Sequence, residues 1–240
     1  MRLPQVRLPR VTGVAELLDA PDHDPAELRA SLAHVAAVNR WLGGNRALQL
    51  ALRPFLREGL RVLDIGTGSA DLPLALTRAA RRRGLRIDVT AAEPHPQTRA
   101  IAAERCRHVP EIRVVEADAL ALDHPPGTFD VALLSLVLHH FEDDAAVTAL
   151  RAAGRVAAVV IVNELHRTRL NHAGARLLAW TIWRRNRITR HDGPLSVQRA
   201  YRPRELRALA AAAGLRVLQL RRRWFQRVVL VATRAAATPG

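Results

Sequence analysis

Lysine is absent from this 240-residue chain, and cysteine, methionine and tyrosine occur once each. A single cysteine, Cys106, excludes an internal disulfide framework and suits a reducing compartment. Aromatic residues make up only 4% of the chain, too few for an extensive base-stacking platform. No apolar run approaches the roughly 18 residues a membrane-spanning helix needs. The N-terminal stretch Met1–Arg10 is charged but lacks the apolar centre of a signal peptide. These absences predict a cytoplasmic protein without a membrane partner.

Arginine carries all the basic charge, and the net charge is +15. Such an excess fits a nucleic-acid surface. Ala and Arg are raised together along the whole chain, however, so residue usage accounts for it better and a nucleic-acid partner is disfavoured. Clusters occur at Arg81–Arg83, Arg184–Arg185 and Arg221–Arg223. The first follows a predicted helix, where cations suit the carboxyl end of the dipole. Hydrophobic residues are 49% of the chain, enough for one sizeable core. Monomer and homodimer both remain open.

The stretch Arg61–Leu76 organises the rest. Val62, Leu63 and Ile65 predict a buried parallel strand, interrupted by one charge, Asp64, which is costly unless paired. Gly66 and Gly68 allow a sharp turn and close approach of a ligand, and a helix follows. A glycine pair after a strand also occurs in any doubly wound protein, so the downstream pattern has to decide. A third glycine position for a dehydrogenase-type G-x-G-x-x-G fingerprint is filled by Asp71, which breaks it.

Upstream, Asp24 predicts a helix cap with Pro25 at the first position and Glu27 at the third, and Leu28, Leu32 and Val35 keep helical spacing. That helix stops near Gly43–Gly44, and a second is expected over 45–57. Downstream, strands are expected at 60–65, 85–92, 112–116, 129–134 and 155–162, with helices at 70–82, 95–107 and 142–154 between them. Alternation of this kind implies a parallel sheet covered on both faces. The region 163–203 breaks the rhythm. It predicts a helix over about 168–185, with Leu170, Ala173, Leu177, Leu178 and Trp180 on an apolar side, then a loop over Thr189–Pro194. A helix at 203–213 and strands at 215–220 and 225–232 close the chain as a hairpin. The fold expected is α/β: a Rossmann-like, seven-stranded, mostly parallel sheet with helices on both faces, a terminal antiparallel hairpin and an N-terminal helical cap. Residues 1–57 form the cap, and 58–240 the main domain with an insertion at about 163–203.

Four strand ends then fall on one edge. Asp64 and the glycines follow the first strand, and Glu93 ends the second, where an acid can accept from ribose hydroxyls. Asp118 ends the third and can accept from an adenine amino group; Ser135 ends the fourth. The segments Val62–Ala70, Glu93, Ala117–Ala119 and Phe129–Ser135 resemble the first to fourth motifs of the class I S-adenosylmethionine-dependent methyltransferases. The resemblance covers about residues 60–165 and the hairpin; it departs at Ala70, where many members have a third glycine. It implies S-adenosyl-L-methionine as cofactor. Asp64, Gly66, Thr67 and Gly68 would hold its amino-acid part, Glu93 and Pro94 the ribose, Asp118 and Ala119 the adenine, with Ser135 at the fourth strand end.

A methyl acceptor with a hydroxyl gains from a general base, most often His. His139 and His140 follow the fourth strand, and His166 the fifth; one of the first pair could be the base, or could brace the turn. Glu164 could orient His166, contact substrate or cap a helix. His191 and Asp192 fit a lid or a simple turn; Asn39, Arg40 and Trp41, which end the first helix, fold over the cofactor, or Trp41 joins the core. The motifs for methylating base amino groups and ribose are missing, Cys106 sits far from the active edge, and no acidic cluster predicts a metal. The expected acceptor is a hydroxylated small molecule, aromatic or polyketide-like, as in bacterial O-methyltransferases of secondary metabolism. RNA modification using the arginine surface is the alternative.

Overall fold

Val62 and Leu63 are neighbours in sequence but face opposite sides of the sheet, and the whole core follows from that period of two. On one side Val62, Val131, Leu133 and Ile161 pack with Leu48, Leu52 and Leu76. On the other, Leu63, Ala132, Leu134 and Val160 pack with Leu150, Leu206 and Leu209. Both faces are covered, so the central strands read as continuous apolar runs. The computed structural model describes residues 8–223 and 226–234.

Strands β1 (Leu60–Ile65), β2 (Ile87–Ala92), β3 (Ile112–Val115), β4 (Phe129–Ser135) and β5 (Ala157–Leu165) run parallel. β6 (Leu215–Arg223) and β7 (Arg227–Arg234) form the antiparallel hairpin, and β7 pairs with β5. The order is β3-β2-β1-β4-β5-β7-β6. Strand order reverses between β1 and β4, and a doubly wound sheet binds its ligand at such a switch point. The expected seven-stranded architecture is therefore present. Phe225, the expected start of the last strand, lies outside the described residues, as does most of Met1–Arg10.

Helices α1 (Pro25–Trp41) and α2 (Gly44–Leu52) precede β1. Asp24 caps α1, accepting the Glu27 N–H at 2.8 Å. α2 ends earlier than expected because Pro54 forces the short turn Arg53–Phe55. Helices α3 (Asp71–Arg81), α4 (Pro96–Cys106), α5 (Asp143–Val156) and α8 (Pro203–Ala212) flank the sheet.

The region 163–203 differs from expectation. The single helix over 168–185 is instead α6 (Arg169–Trp180), followed by turns. The expected loop over 189–194 lies inside α7 (Arg187–Arg199), despite Pro194. Asn186 starts that helix, accepting the Thr189 N–H at 2.7 Å, and Gly193 fits where a Cβ would meet the Trp183 ring at 2.5 Å. Tertiary packing overrides the turn-like composition here. Among the described residues no helix is long and apolar enough to cross a membrane.

Candidate functional site

A cavity of about 1110 Å³ opens at the carboxyl ends of β1, β2 and β4. Its floor is the loop after β1. Gly66 has φ +65°, and a Cβ there would meet Val137 Cγ2 at 2.7 Å. Gly68 has φ +58° with nothing within 4 Å of the Cβ position, so the backbone lies open to a ligand. Ala70 also takes a left-handed conformation, φ 56°, in which a side chain carries a cost that glycine avoids.

Asp64 does not line this cavity. It is buried beneath the loop, and its Oδ2 accepts the Thr67 hydroxyl at 2.7 Å. Burial pushes its carboxyl up to about 7, against the Thr67 hydrogen bond. Its place is to support Thr67, which does line the wall. Glu93 lines it directly, with Oε2 accepting the Gly68 N–H at 2.9 Å and Oε1 the His95 N–H at 3.2 Å. Burial raises its carboxyl too. Pro94, Asp118, Ala119 and Ser135 also face the cavity. Asp118 accepts the Leu120 N–H at 2.9 Å, and Asn163 donates to the Ser135 hydroxyl at 2.9 Å.

Three further groups at the glycine end escape sequence reasoning, or nearly so. Asp71, Asn39 and Arg227 line the cavity. Asp71 Oδ2 and Arg227 Nε and Nη1 are buried with no partner among the described residues. Arg227 donates to Asn39 Oδ1 at 3.2 Å. Burial holds its guanidinium down to about 10, although Glu164 and Asp71 favour the charge. One carboxylate oxygen and two guanidinium nitrogens left open in a common pocket suit a zwitterion, with ammonium on Asp71 and carboxylate on Arg227. A nucleoside bearing an amino acid fits this wall. Of the residues singled out at the end of α1, Asn39 reaches the site, whereas Trp41 is exposed and belongs neither to the core nor to the cavity wall.

Opposite stands a cluster of carboxylates and imidazoles. His139 Nδ1 lies 2.9 Å from Glu164 Oε2, and Glu164 Oε1 accepts the Leu138 N–H at 3.0 Å. His140 Nδ1 lies 2.9 Å from Asp19 Oδ1. The Nε2 atoms of both rings face Glu16, at 3.6 and 3.9 Å. Burial opposes charge on His140, but Glu16 and the hydrogen-bonded Asp19 outweigh it and raise the imidazole to about 9. Burial pushes Glu164 up, yet His139, His140 and Arg227 hold it below its ordinary value.

No metal site is expected from the sequence, yet one ligand atom each from Glu16, His139 and His140 lies within 4.8 Å of the others, a spacing one divalent cation can bridge. The cluster also balances without a cation: a proton on His140 answers the acids, and Ser196 Oγ lies 2.8 Å from Glu16 Oε1. His166, the third expected histidine, lies off the cavity wall. Its backbone N–H donates to Gln226, and burial with Arg222, Arg202 and Arg167 holds its imidazole low.

Glu16 and Asp19 come from a segment whose sequence shows only Pro-rich irregularity. α7 places it. Asp192 accepts the N–H groups of Leu17 and Leu18 at 2.8 and 2.9 Å. Arg199, also on α7, donates to the carbonyls of His139, His140 and Val14. Asp192 is thus neither in a lid loop nor in a local turn. The only sequence signal for this arrangement is a pair of acids, Glu16 and Asp19, at one-turn spacing.

Residues 62–159 match the family model described as "Methyltransferase domain". Demethylmenaquinone methyltransferase of Thermus thermophilus is 35% identical over 125 residues, covering 52% of this chain and 51% of that protein. The chain spans about half or less of the length of the curated relatives it matches. A S-adenosylmethionine-dependent methyltransferase of Aquifex aeolicus superposes with a TM-score of 0.64 at 18% identity, covering 88% of this chain and 98% of that one. An O-methyltransferase of neocarzinostatin biosynthesis, solved with S-adenosyl-L-homocysteine and 1,4-dihydroxy-2-naphthoic acid, gives 0.54 at 23%, covering 73% and 49%. Residues 62–159 thus match a methyltransferase domain, and the sheet order and glycine loop have the fold of the class I S-adenosylmethionine-dependent methyltransferases.

Proposed function

We propose that this chain transfers a methyl group from S-adenosyl-L-methionine to a hydroxyl on a small aromatic or polyketide-like acceptor, with His140 taking the hydroxyl proton. The observation that carries the reading is the pairing of His140 Nδ1 with Asp19 at 2.9 Å on the cavity wall. With Nδ1 engaged by Asp19, the ring keeps Nε2, 3.9 Å from Glu16 on the same wall, as the proton acceptor. His139, more deeply buried and tied to Glu164, braces the turn after β4.

The cofactor supplies an electrophilic methyl on a sulfonium. The protein's share is alignment and exclusion of water. Glu93 and Asp118 suit the ribose and adenine, and Asp71 and Arg227 the amino acid. Leu18, Leu32, Val35 and Val38 give the acceptor side an apolar wall. In this reading residues 1–57 are a cap over the methyltransferase domain 58–240, and 163–203 cover the acceptor. Asn186 donating to Glu27 O at 2.8 Å and Thr189 to Ser31 at 3.1 Å join the two coverings.

A relative named for demethylmenaquinone supports a small ring-bearing acceptor, and a similar fold solved with a dihydroxynaphthoic acid supports a hydroxylated aromatic one. The competing reading, an RNA acceptor, rests on the +15 charge alone. Labelled S-adenosylmethionine supplied with a panel of hydroxyaromatics and with total RNA separates them. Label is expected in a methyl ether. Label in RNA alone refutes the proposal.

A further inference from the structure

α6 turns its apolar stripe away from the protein. At about 100° per residue, Leu170, Ala173, Leu177 and Trp180 fall within an arc of about 80°. The opposite side carries the buried Ala175 and Ala179, and α6 packs on α7. Leu170, Leu177 and Trp180 are 72%, 62% and 81% exposed, and Ile182, just past the helix, is 66% exposed. Single exposed apolar residues are ordinary, but a stripe of large ones that includes Trp marks a contact surface.

Positive charge flanks the stripe along the chain. Between Glu164 and Asp192 there is no acidic residue, while seven arginines occur. Arg169, Arg176, Arg184 and Arg185 are exposed and make no ion pair with another described residue. The stripe also borders the cavity, because Leu170 and Leu177 line it as well as facing solvent.

We propose that this face docks on the surface of an anionic phospholipid bilayer. Leu170, Leu177, Trp180 and Ile182 enter the boundary between headgroups and acyl chains, and the four arginines meet the phosphates, so that the cavity mouth faces the lipid. A helix with an apolar stripe and a cationic flank lies in that boundary, and long basic side chains reach back to the headgroups. Such docking departs from the sequence expectation of no membrane partner. It needs no spanning helix. A second copy fits less well, since a two-fold contact sets the unpaired arginines of one copy near those of the other. RNA would use the arginines but gains little from Leu170, Leu177 and Ile182.

The test uses the full chain and no methyl transfer, so its result is independent of the proposed reaction. Co-sedimentation is measured with vesicles of phosphatidylcholine alone and mixed with phosphatidylglycerol, at about 0.1 M and about 0.5 M salt. Binding is expected to the anionic vesicles and to weaken with salt. Trp180→Ser with Ile182→Ser is expected to weaken it by roughly an order of magnitude, and Arg184→Gln with Arg185→Gln by a similar factor. All four side chains are exposed, so the melting temperature should hold in both variants. No binding to anionic vesicles overturns the proposal, as does binding that survives the apolar pair of changes. Two other results also overturn it: random-RNA binding of equal strength removed by the arginine changes alone, or a dimer in light scattering that the apolar changes dissociate.

Discussion

The Glu93 carboxylate accepts the Gly68 N–H at 2.9 Å, tying the end of β2 to the glycine loop that follows β1. One side chain therefore shapes the loop and faces the cavity. Glu93→Ala removes both effects. Hydrogen bonds to charged groups contribute about 1.5–3 kcal/mol, so affinity for S-adenosylmethionine should fall about 10- to 100-fold by calorimetric titration. Glu93→Gln keeps an acceptor oxygen and should lose less. Equal loss in the two variants would count against this dual role.

Arg227 and Asp71 present unsatisfied buried atoms to one cavity, which costs stability without a ligand. Arg227→Met should leave the melting temperature of the free protein unchanged or higher. It should also abolish most of the stabilisation that S-adenosylmethionine confers, since that increment follows ligand affinity. Thermal unfolding with and without cofactor measures both. A variant with full cofactor-induced stabilisation removes Arg227 from the site.

These two residues show where the sequence stops being readable. Gly66, Gly68, Glu93, Asp118 and Ser135 each stand at the end of an apolar run, so strand pattern alone brings them to one edge. Arg227 looks like one more arginine in a chain with 37 basic residues, and only the pairing of β7 with β5 turns it inward. Asp19 meets His140 across 121 positions, and Asp192 meets Leu17 across 175. No local pattern encodes such separations. α7 was hidden for another reason: its His-Asp-Gly-Pro string has the composition of a turn, and burial of Leu195 and Val197 decides otherwise. Asp64 was legible as important, but sequence could not tell a ligand contact from a support for Thr67.

Asp64 gives a stability prediction with a definite sign. Its folded-state value is raised to about 7, so the folded chain holds this proton more tightly than the unfolded one. Stability from this group is therefore present in acid and is lost as pH rises from about 4 to about 7, with a slope of at most about 1.4 kcal/mol per pH unit. Asp71 and Glu93, also raised by burial, act in the same direction. Asp64→Asn has no such proton to lose. Urea unfolding across this range should show a shallower pH dependence in the variant than in the parent, and parallel curves would remove Asp64 as a cause.

His140 sets the pH dependence of turnover. Glu16 and Asp19 face it from the N-terminal turn, Glu164 from β5 and His139 from the next position, while Arg199 on α7 holds its carbonyl. The acids prevail and the imidazole is raised to about 9. At pH 7 roughly one free molecule in a hundred then has the neutral ring that can accept a proton. kcat/KM, which reports the free enzyme, should climb through neutral pH and level off near that value. Asp19→Asn removes one negative charge and the charged hydrogen bond, so the rising limb should move to lower pH. The plateau should fall, because the ring loses its orienting partner. His140→Ala should lose about 100-fold or more in turnover at the plateau while cofactor affinity stays within about twofold. A limb that stays in place in Asp19→Asn would separate the pH dependence from this histidine. A plateau retained in His140→Ala would show that the hydroxyl proton leaves by another route.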